Sequence, residues 1–251
     1  MSTLILALAA GAVIGLALGA LGGGGSVLAV PALIYLLGFT PAAATTSSLI
    51  IVTATSATAL YAHATAGNVR WKTGALFAAV GIPPAIAAAT LAIRVPEAVV
   101  TAAFAAIALL AALAMFKAPP PDQQPRAVRP ARAARAAGTG AGLGAVTGFL
   151  GVGGGFLAVP ALVAVLGLRM RAAVGTSLLV ITVNSLAALV ARAGAHTPLN
   201  WAVIAPFTGA AILGAWDGKR LAAKISGPAL QRTFASVLLA VAALMVADAL
   251  H

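Results

Sequence analysis

The sequence contains no cysteine, three histidines and only four acidic residues among its 251 residues. The lack of cysteine excludes disulfides and thiolate metal ligands. The few histidines and carboxylates are scattered along the chain, so they predict no metal centre. No Ser/His/Asp grouping and no converging carboxylate pair is present to predict an enzyme. We therefore expect no metal, no cofactor and no catalytic residues.

Charge is also scarce, since charged residues make up 8% of the chain and hydrophobic residues 62%. A soluble domain carries about 25% charged residues. The composition therefore predicts an α-helical membrane protein with several spans. The net charge of +11 comes from short basic runs between apolar segments, where the positive-inside rule places them. We interpret these runs as orientation signals in a lipid bilayer and expect no nucleic-acid partner.

The sequence repeats itself after 129 residues. The stretch GALGGGGSVLAVPALIYLLG at Gly19–Gly38 aligns with GFLGVGGGFLAVPALVAVLG at Gly148–Gly167, and about 17 of the 31 positions from 19 to 49 are identical. Between the copies lies a stretch rich in Pro and Arg without apolar periodicity. The predicted organisation is a first transmembrane repeat over 1–116, a linker over 117–137 and a second transmembrane repeat over 138–251.

Each copy contains five apolar segments, and the last three are long enough to cross a bilayer. The second segment of each copy follows a glycine run and has only about 13 residues, whereas a bilayer core requires roughly 20. If the chain turned back at the glycines, all basic residues except Arg94 and Arg192 would lie on one face. A continuous crossing would divide them almost evenly, so positive-inside bias favours the hairpin.

With a hairpin and three spans, each copy makes an odd number of crossings, so the second copy inserts upside down relative to the first. The predicted fold class is an all-α polytopic membrane protein with two inverted-topology repeats, each with a broken or re-entrant helix pair plus three transmembrane helices. This architecture is common in secondary transporters. The charge bias predicts the cytoplasmic (inner) membrane, a cytoplasmic 117–137 linker and both termini outside.

The glycine breaks suggest a binding site. Glycine lets a ligand approach the backbone, and the helix starts that we expect near Ser26 and Gly155 would present N–H groups to an anion. Hydroxyl runs, TTSS and GTS, open the first long span of each copy. Tight turns, N-caps and interhelical hydrogen bonds are alternative explanations that stay open. The candidate substrate-binding residues are Gly24, Gly25, Ser26, Ser48, Gly153, Gly154, Gly155, Ser177 and Asn184.

Three ionisable residues are candidates for coupling or gating. Asp217 lies in GAWDGKR, where a surface ion pair with a neighbouring basic residue is the simpler explanation and proton coupling is the alternative. His63 and Arg192 occupy equivalent positions in the two copies and could attract or gate anions. Glycines also recur every four residues before each break, from Gly11 and from Gly140, which predicts close helix packing.

The duplicated GALGGGGSVLAVPAL and GFLGVGGGFLAVPAL, followed by ATTSSL and AVGTSLL, resemble the sulfite exporter TauE/SafE family of bacterial and archaeal membrane proteins. The resemblance covers nearly the whole chain. It implies a transporter of about eight spans that moves sulfite, sulfonates or related sulfur-containing anions, often outward. Our ten apolar segments differ from eight full spans, as expected when the short segments are merged or missed in counting spans.

The residues and the resemblance together predict a secondary transporter that exports a small sulfur-containing anion, sulfite or an organosulfonate, by alternating access. Its expected partners are this anion, of the sulfite, sulfonate or thiosulfate class, and the lipid bilayer. An importer of the same anion class is the nearest alternative. A membrane assembly or scaffold protein that transports nothing is the second.

Overall fold

The computed structural model describes residues 2–117, 130–151, 155–194 and 199–224, with single positions between 229 and 244. These residues form helices joined by turns, and no strand occurs among them. Within this part of the chain, four helices are long and apolar enough to cross a membrane, in agreement with the expected membrane fold. The helices are α1 (Ser2–Leu21), α2 (Ala29–Pro31), α3 (Pro41–Thr65), α4 (Trp71–Ala92), α5 (Glu97–Lys117), α6 (Pro130–Leu150), α7 (Gly155–Leu166), α8 (Met170–Arg192) and α9 (Trp201–Lys224).

At the first glycine break, the left-handed backbone conformation is confined to one residue. α1 ends at Leu21, and Gly22 has a φ of +66°, a left-handed conformation that glycine adopts without strain. A 3-10 helix then runs over Gly22–Leu28, followed by α2 and a π-helical turn over Ala32–Leu36. The sequence predicted a helix start near Ser26. A helical stretch over Ser26–Leu36 is present, in agreement with this prediction, and the helical conformation also extends back through the glycines to Gly22.

The second break is equivalent to the first. α6 ends at Leu150, and Gly151 also has a φ of +66°. α7 begins at Gly155, as the sequence predicted, whereas 152–154 lie outside the described residues. α6 begins at Pro130, eight residues before the apolar segment that we delimited. Proline suits the first turn of a helix because its missing N–H would have no partner there, so the helix extends into the polar sequence.

Glycines of each copy pack against a helix of the other copy. α1 lies along α9, and α6 lies along α4. A methyl group on Gly15 would overlap the carbonyl of Ala211, and one on Gly144 would overlap the carbonyl of Gly81. In both helix pairs the contacts advance in the same direction along the two chains, so the helices are parallel. The predicted close-packing faces are therefore confirmed, and their partners belong to the opposite repeat.

α3 and α8, the equivalent long helices of the two copies, pack against each other in the centre. Arg192 hydrogen-bonds Thr45 at one end of the pair, and Ser56 hydrogen-bonds Thr182 further along. Moving from Thr45 to Ser56 along α3 therefore means moving backwards along α8. The two helices are antiparallel.

The outer surface of the helices is apolar. Large hydrophobic side chains such as Leu110 and Leu213 are exposed, which is the arrangement that lipid tails require. Trp71 and Trp201 are exposed at the first residues of α4 and α9. Tryptophan is enriched where helices enter the membrane interface, so Trp71 fits the end of a candidate membrane span, α4.

Candidate functional site

The polar side chains of the interior are concentrated on the two central helices. Among the residues that the structure describes, every buried polar or charged side chain except Ser26 and Thr147 lies on α3 or α8. Hydroxyls are tolerated in apolar helices because they bond a carbonyl of the preceding turn. The Thr46 hydroxyl donates to the Ala42 carbonyl in this way, at 3.1 Å. Polar groups can therefore line the α3–α8 interface without breaking either helix.

A subset of these groups has no hydrogen-bond partner among the described residues, although their polar atoms are inaccessible to solvent. Every such atom lies on α3 or α8. An unsatisfied buried polar group costs about 1–3 kcal/mol, so a cluster of them requires an explanation, and a bound polar molecule is one. The groups that we call the unpaired cluster are the hydroxyls of Ser47, Ser48, Thr53, Thr55 and Ser185 and both amide atoms of Asn184.

Two candidate residues, Ser48 and Asn184, belong to the unpaired cluster and are buried completely or almost completely. Ser177 is also fully buried, but its hydroxyl donates to the Val174 carbonyl at 2.8 Å. Asn184 faces Gly81 of α4, where a Cβ would lie 2.6 Å from the asparagine Nδ2. Glycine at position 81 therefore leaves room for the Asn184 amide.

The glycine breaks lie against these same helices. The 3-10 helix packs against both α7 and α8. A Cβ on Gly22 would lie 2.8 Å from the Ser177 hydroxyl, and a Cβ on Gly151 would lie 2.6 Å from Cβ of Thr45. Each break thus contacts the start of the long helix of the other copy, which brings the glycine and hydroxyl motifs of the sequence together.

The remaining glycine candidates are placed as follows. Gly24 and Gly25 lie within the 3-10 helix, and Ser26, in the same helix, is fully buried. Gly155 is the first residue of α7. Gly153 and Gly154 lie outside the described residues. The 3-10 helix and α7 are in contact, so the described parts of the two broken segments meet.

The two equivalent basic residues anchor equivalent carbonyls. His63 Nε2 donates to the Gly19 carbonyl at 3.1 Å, and Arg192 donates to the Gly148 carbonyl at 2.9 Å. Both carbonyls lie in the last turn of the helix before a break, where unsatisfied C=O groups and the helix dipole favour a cationic donor. His63 and Arg192 are 4% and 6% exposed, so both groups lie within the helix bundle.

A cavity of about 140 Å³ lies at the Arg192 end of the α3–α8 pair. It is bordered by Arg192, by the first turns of α3 and by the turn between α4 and α5. Asp217, by contrast, is exposed and pairs with Arg220 at 3.2 Å, the one ion pair found among the described side chains. Asp217 therefore lies apart from the cavity and from the unpaired cluster.

Comparison with known proteins identifies the chain's relatives. The family model for the sulfite exporter TauE/SafE matches residues 7–245. The chain belongs to the TauE/SafE family. Two proteins of Xylella fastidiosa, from strains 9a5c and Temecula1, each carry the name "Probable membrane transporter protein" and are 32% identical to it over 247 residues. The alignments cover 96% of this chain and 94% of each relative.

No solved structure matches the chain. The family and the two relatives identify a membrane transporter rather than an enzyme, which confirms the resemblance seen in the duplicated glycine motifs.

Sequence reasoning missed one pairing at the centre of this TauE/SafE protein. The hydroxyls of Ser56 and Thr182 lie 2.8 Å apart and share a hydrogen bond. The equivalent residues of the opposite copies, Ser185 and Thr53, have no partner among the described residues. The shift of 129 residues aligns Ser56 with Ser185 and Thr53 with Thr182. This alignment identifies the four residues, but only the antiparallel packing shows that Ser56 pairs with Thr182 of the other copy.

Proposed function

We propose that this TauE/SafE protein is a secondary transporter that exports a small sulfur-containing anion of the sulfite, thiosulfate or organosulfonate class across the cytoplasmic membrane. The observation that carries the proposal is the unpaired cluster, whose members all lie on α3 or α8. A membrane protein without water or a ligand there would leave these groups unsatisfied at a substantial cost in free energy. A transported anion supplies the missing acceptors.

The chemistry of the cluster suits an anion with several oxygens. Hydroxyl and amide groups donate hydrogen bonds, and such bonds are stronger when the acceptor is ionised. Backbone N–H groups at the two glycine breaks would add donors close to the same helices. Because α3 and α8 are antiparallel, Ser48 and Ser177 lie towards opposite ends of the pair, so we assign anion contact at successive points of one path. The residues are Gly24, Gly25, Ser26, Ser48, Gly153, Gly154, Gly155, Ser177 and Asn184, and we add Thr55, the equivalent of Asn184.

An inverted repeat with re-entrant helix pairs is supported by the packing of the two copies. α3 and α8 are equivalent helices that run antiparallel, as two oppositely inserted copies require. The residues of α1 from Leu6 to Ile14 border the same apolar groove as residues from Leu28 to Leu36. A chain that turns back at Gly22 would bring these two stretches side by side.

Alternating access is supported by the two equivalent hydroxyl pairs. One pair, Ser56 and Thr182, is hydrogen-bonded and lies towards the His63 end of α3. The other, Thr53 and Ser185, is unpaired and lies towards the Arg192 end, which is also the end with the cavity. We propose that transport exchanges these states, so that one pair forms as the other separates.

The membrane potential is a sufficient driving force for export. An inside-negative potential favours the exit of an anion by about 2.3 kcal/mol per charge for each 100 mV. No buried carboxylate occurs among the described side chains, so this scheme assigns no proton-coupling role to a buried acid. His63 and Arg192, at opposite ends of the α3–α8 pair, are proposed to gate the path.

The proposal is tested with purified protein in liposomes, by measuring the flux of sulfite, thiosulfate, sulfate and taurine under an imposed potential. We expect Ser48→Ala combined with Ser177→Ala to reduce flux by about tenfold or more, because the anion loses the unpaired Ser48 hydroxyl and the Ser177 hydroxyl, which would turn from the Val174 carbonyl to the anion. The matched control is Thr58→Ala with Thr90→Ala, since both hydroxyls bond their own helices and, unlike Ser48 and Ser177, neither side chain is buried.

The alternatives give different results. Unchanged flux in the double serine variant would contradict the assigned site, and the absence of flux of any tested anion in the wild type would favour a scaffold protein. An importer would move the anion efficiently only when the potential is reversed.

A further inference from the structure

The cavity at the Arg192 end is separate from the unpaired cluster. Its lining includes the polar residues Thr45, Thr46 and Arg192 but none of the unpaired hydroxyls or Asn184. Its volume of about 140 Å³ exceeds the roughly 30 Å³ that a water molecule occupies in the liquid. A single anion of four or five heavy atoms therefore fits inside it.

Arg192 gives this cavity a positive charge that no described carboxylate neutralises. The guanidinium is 6% exposed and forms no ion pair with any carboxylate that the structure describes. It donates to three oxygens, those of Thr45, Gly148 and Phe149, all of them uncharged. Its Nε has no partner among the described residues. A buried charge without a counter-ion is costly, so an anion in the cavity would stabilise this arrangement.

The guanidinium is held in a fixed position. The Thr45 hydroxyl accepts a hydrogen bond from Arg192 at 2.9 Å and donates to the Ala42 carbonyl at 3.0 Å. The same cavity is bordered by Pro41 and Ala42, the first residues of the 25-residue helix α3. The N-terminal end of a helix carries partial positive charge. Two independent sources of positive potential, one of them a buried side chain, therefore meet at the same cavity.

We propose that this cavity is a second anion site, in which one small oxyanion of the sulfite class binds against the Arg192 guanidinium. The inference rests on the proposed function for its choice of anion. The positive-inside assignment puts Arg192 on the outer side of the membrane, opposite the basic linker. In that orientation an anion released from the central helices reaches Arg192 before it leaves the protein.

The test places a competing carboxylate in the cavity without removing Arg192. Ala42 is exposed and lies in the first turn of α3, where an acidic residue is favourable. We expect Ala42→Glu to pair with Arg192 and weaken sulfite binding by about tenfold or more relative to Ala42→Gln. Binding is measured by calorimetry on full-length protein in detergent, in the Ser48→Ala, Ser177→Ala background so that the central site does not contribute.

One further control and two contrary outcomes complete the test of the second anion site. A further control, Arg94→Gln, removes an exposed arginine from the turn beside the cavity and should change the affinity by less than about twofold. Equal sulfite affinity in Ala42→Glu and Ala42→Gln, with unchanged melting temperatures, would overturn the second site while leaving transport by the wild type intact. Failure of the wild type both to bind and to transport sulfite would overturn the site and the proposed function together.

Discussion

The two ends of the α3–α8 pair use the same scaffold with different side chains. At one end His63 donates to the Gly19 carbonyl, and at the other Arg192 donates to the Gly148 carbonyl. The carbonyls occupy equivalent positions in the two copies. The imidazole makes one such hydrogen bond, whereas the guanidinium makes several and also fixes Thr45. Both copies therefore fix the end of the broken helix with a side chain of the long helix, but the donor is an imidazole at one end and a guanidinium at the other.

The residues around these anchors differ in size and charge. Ala42 and Ala89, at the Arg192 end, align with Arg171 and Lys219 of the second copy. The Lys219 ammonium donates to the carbonyl of Ala62, next to His63. At the Arg192 end the equivalent of Lys219 is Ala89, whose side chain is only a methyl group. Of these two small residues, Ala42 borders the cavity at that end. The packing of the duplicated helices is therefore common to both copies. The residues at the ends of these helices differ in size and charge, so the two ends of the α3–α8 pair differ chemically.

The strongest way to break the shared scaffold is to fill its glycine contacts. Gly144→Ala would push a methyl group into the backbone of Gly81, and Gly15→Ala would do the same at Ala211. We expect each variant to lose about 2 kcal/mol or more of unfolding free energy, because backbone atoms cannot move aside locally. The measurement is thermal unfolding of the detergent-purified protein.

The control for this prediction lies in the same helix. Gly142 has no described atom within 4 Å of the position of an added Cβ, so Gly142→Ala should keep or slightly raise the stability. If Gly15→Ala and Gly144→Ala differed strongly from each other, the two copies would not share one packing scheme.

A smaller effect would sharpen the difference between the ends. Ser56→Ala with Thr182→Val removes the hydrogen-bonded pair, and a hydrogen bond contributes about 0.5–1.5 kcal/mol. We expect the balance between the two conformations to move about threefold to tenfold towards opening at the His63 end. The chain has no cysteine, so single reporters made by Ala42→Cys and Arg171→Cys can be labelled from either side of the membrane to measure this change.

The equivalent pair is the control for the hydroxyl exchange. Thr53 and Ser185 have no hydrogen bond to lose, so Thr53→Ala with Ser185→Ala should not increase labelling at position 171. Increased labelling at 171 in both double variants would contradict an exchange between the two pairs.

The smallest effect is expected outside both ends. Asp217 is exposed and pairs with Arg220, and an exposed ion pair contributes little free energy. Asp217→Asn should therefore slow anion flux without abolishing it, as measured in liposomes. Complete loss of transport in this variant would instead identify Asp217 as a coupling residue and refute uncoupled export.

Much of this fold could be predicted because its strongest signals are local. Apolar runs, low charge and a long internal repeat identified a helical membrane protein with two copies, and the four-residue glycine spacing identified close-packing faces. The position of the break was predictable as well, since a left-handed residue such as Gly22 must be glycine or strained. The sequence predicted the helix start near Ser26 but not the 3-10 helix that already begins at Gly22, because a run of glycines is compatible with a loop as well as with a helix.

The candidate site was less predictable because its contacts join the two copies. Ser48 and Asn184 could be found as polar residues inside apolar spans. The cavity beside Arg192 and the pairing of Ser56 with Thr182 depend on the antiparallel packing of α3 on α8. An alignment of the copies matches equivalent positions, whereas the structure pairs non-equivalent ones.

The exchange of helices between repeats has a consequence for biosynthesis. α1 packs along α9, and about 180 residues separate the end of one from the start of the other. At a synthesis rate of about 5–20 residues per second, α1 waits on the order of ten seconds or longer before its partner leaves the ribosome. During that interval the glycine face of α1 contacts lipid or the insertion machinery in place of α9. We therefore expect quality-control proteases to act mainly on chains in which only the first repeat has been synthesised.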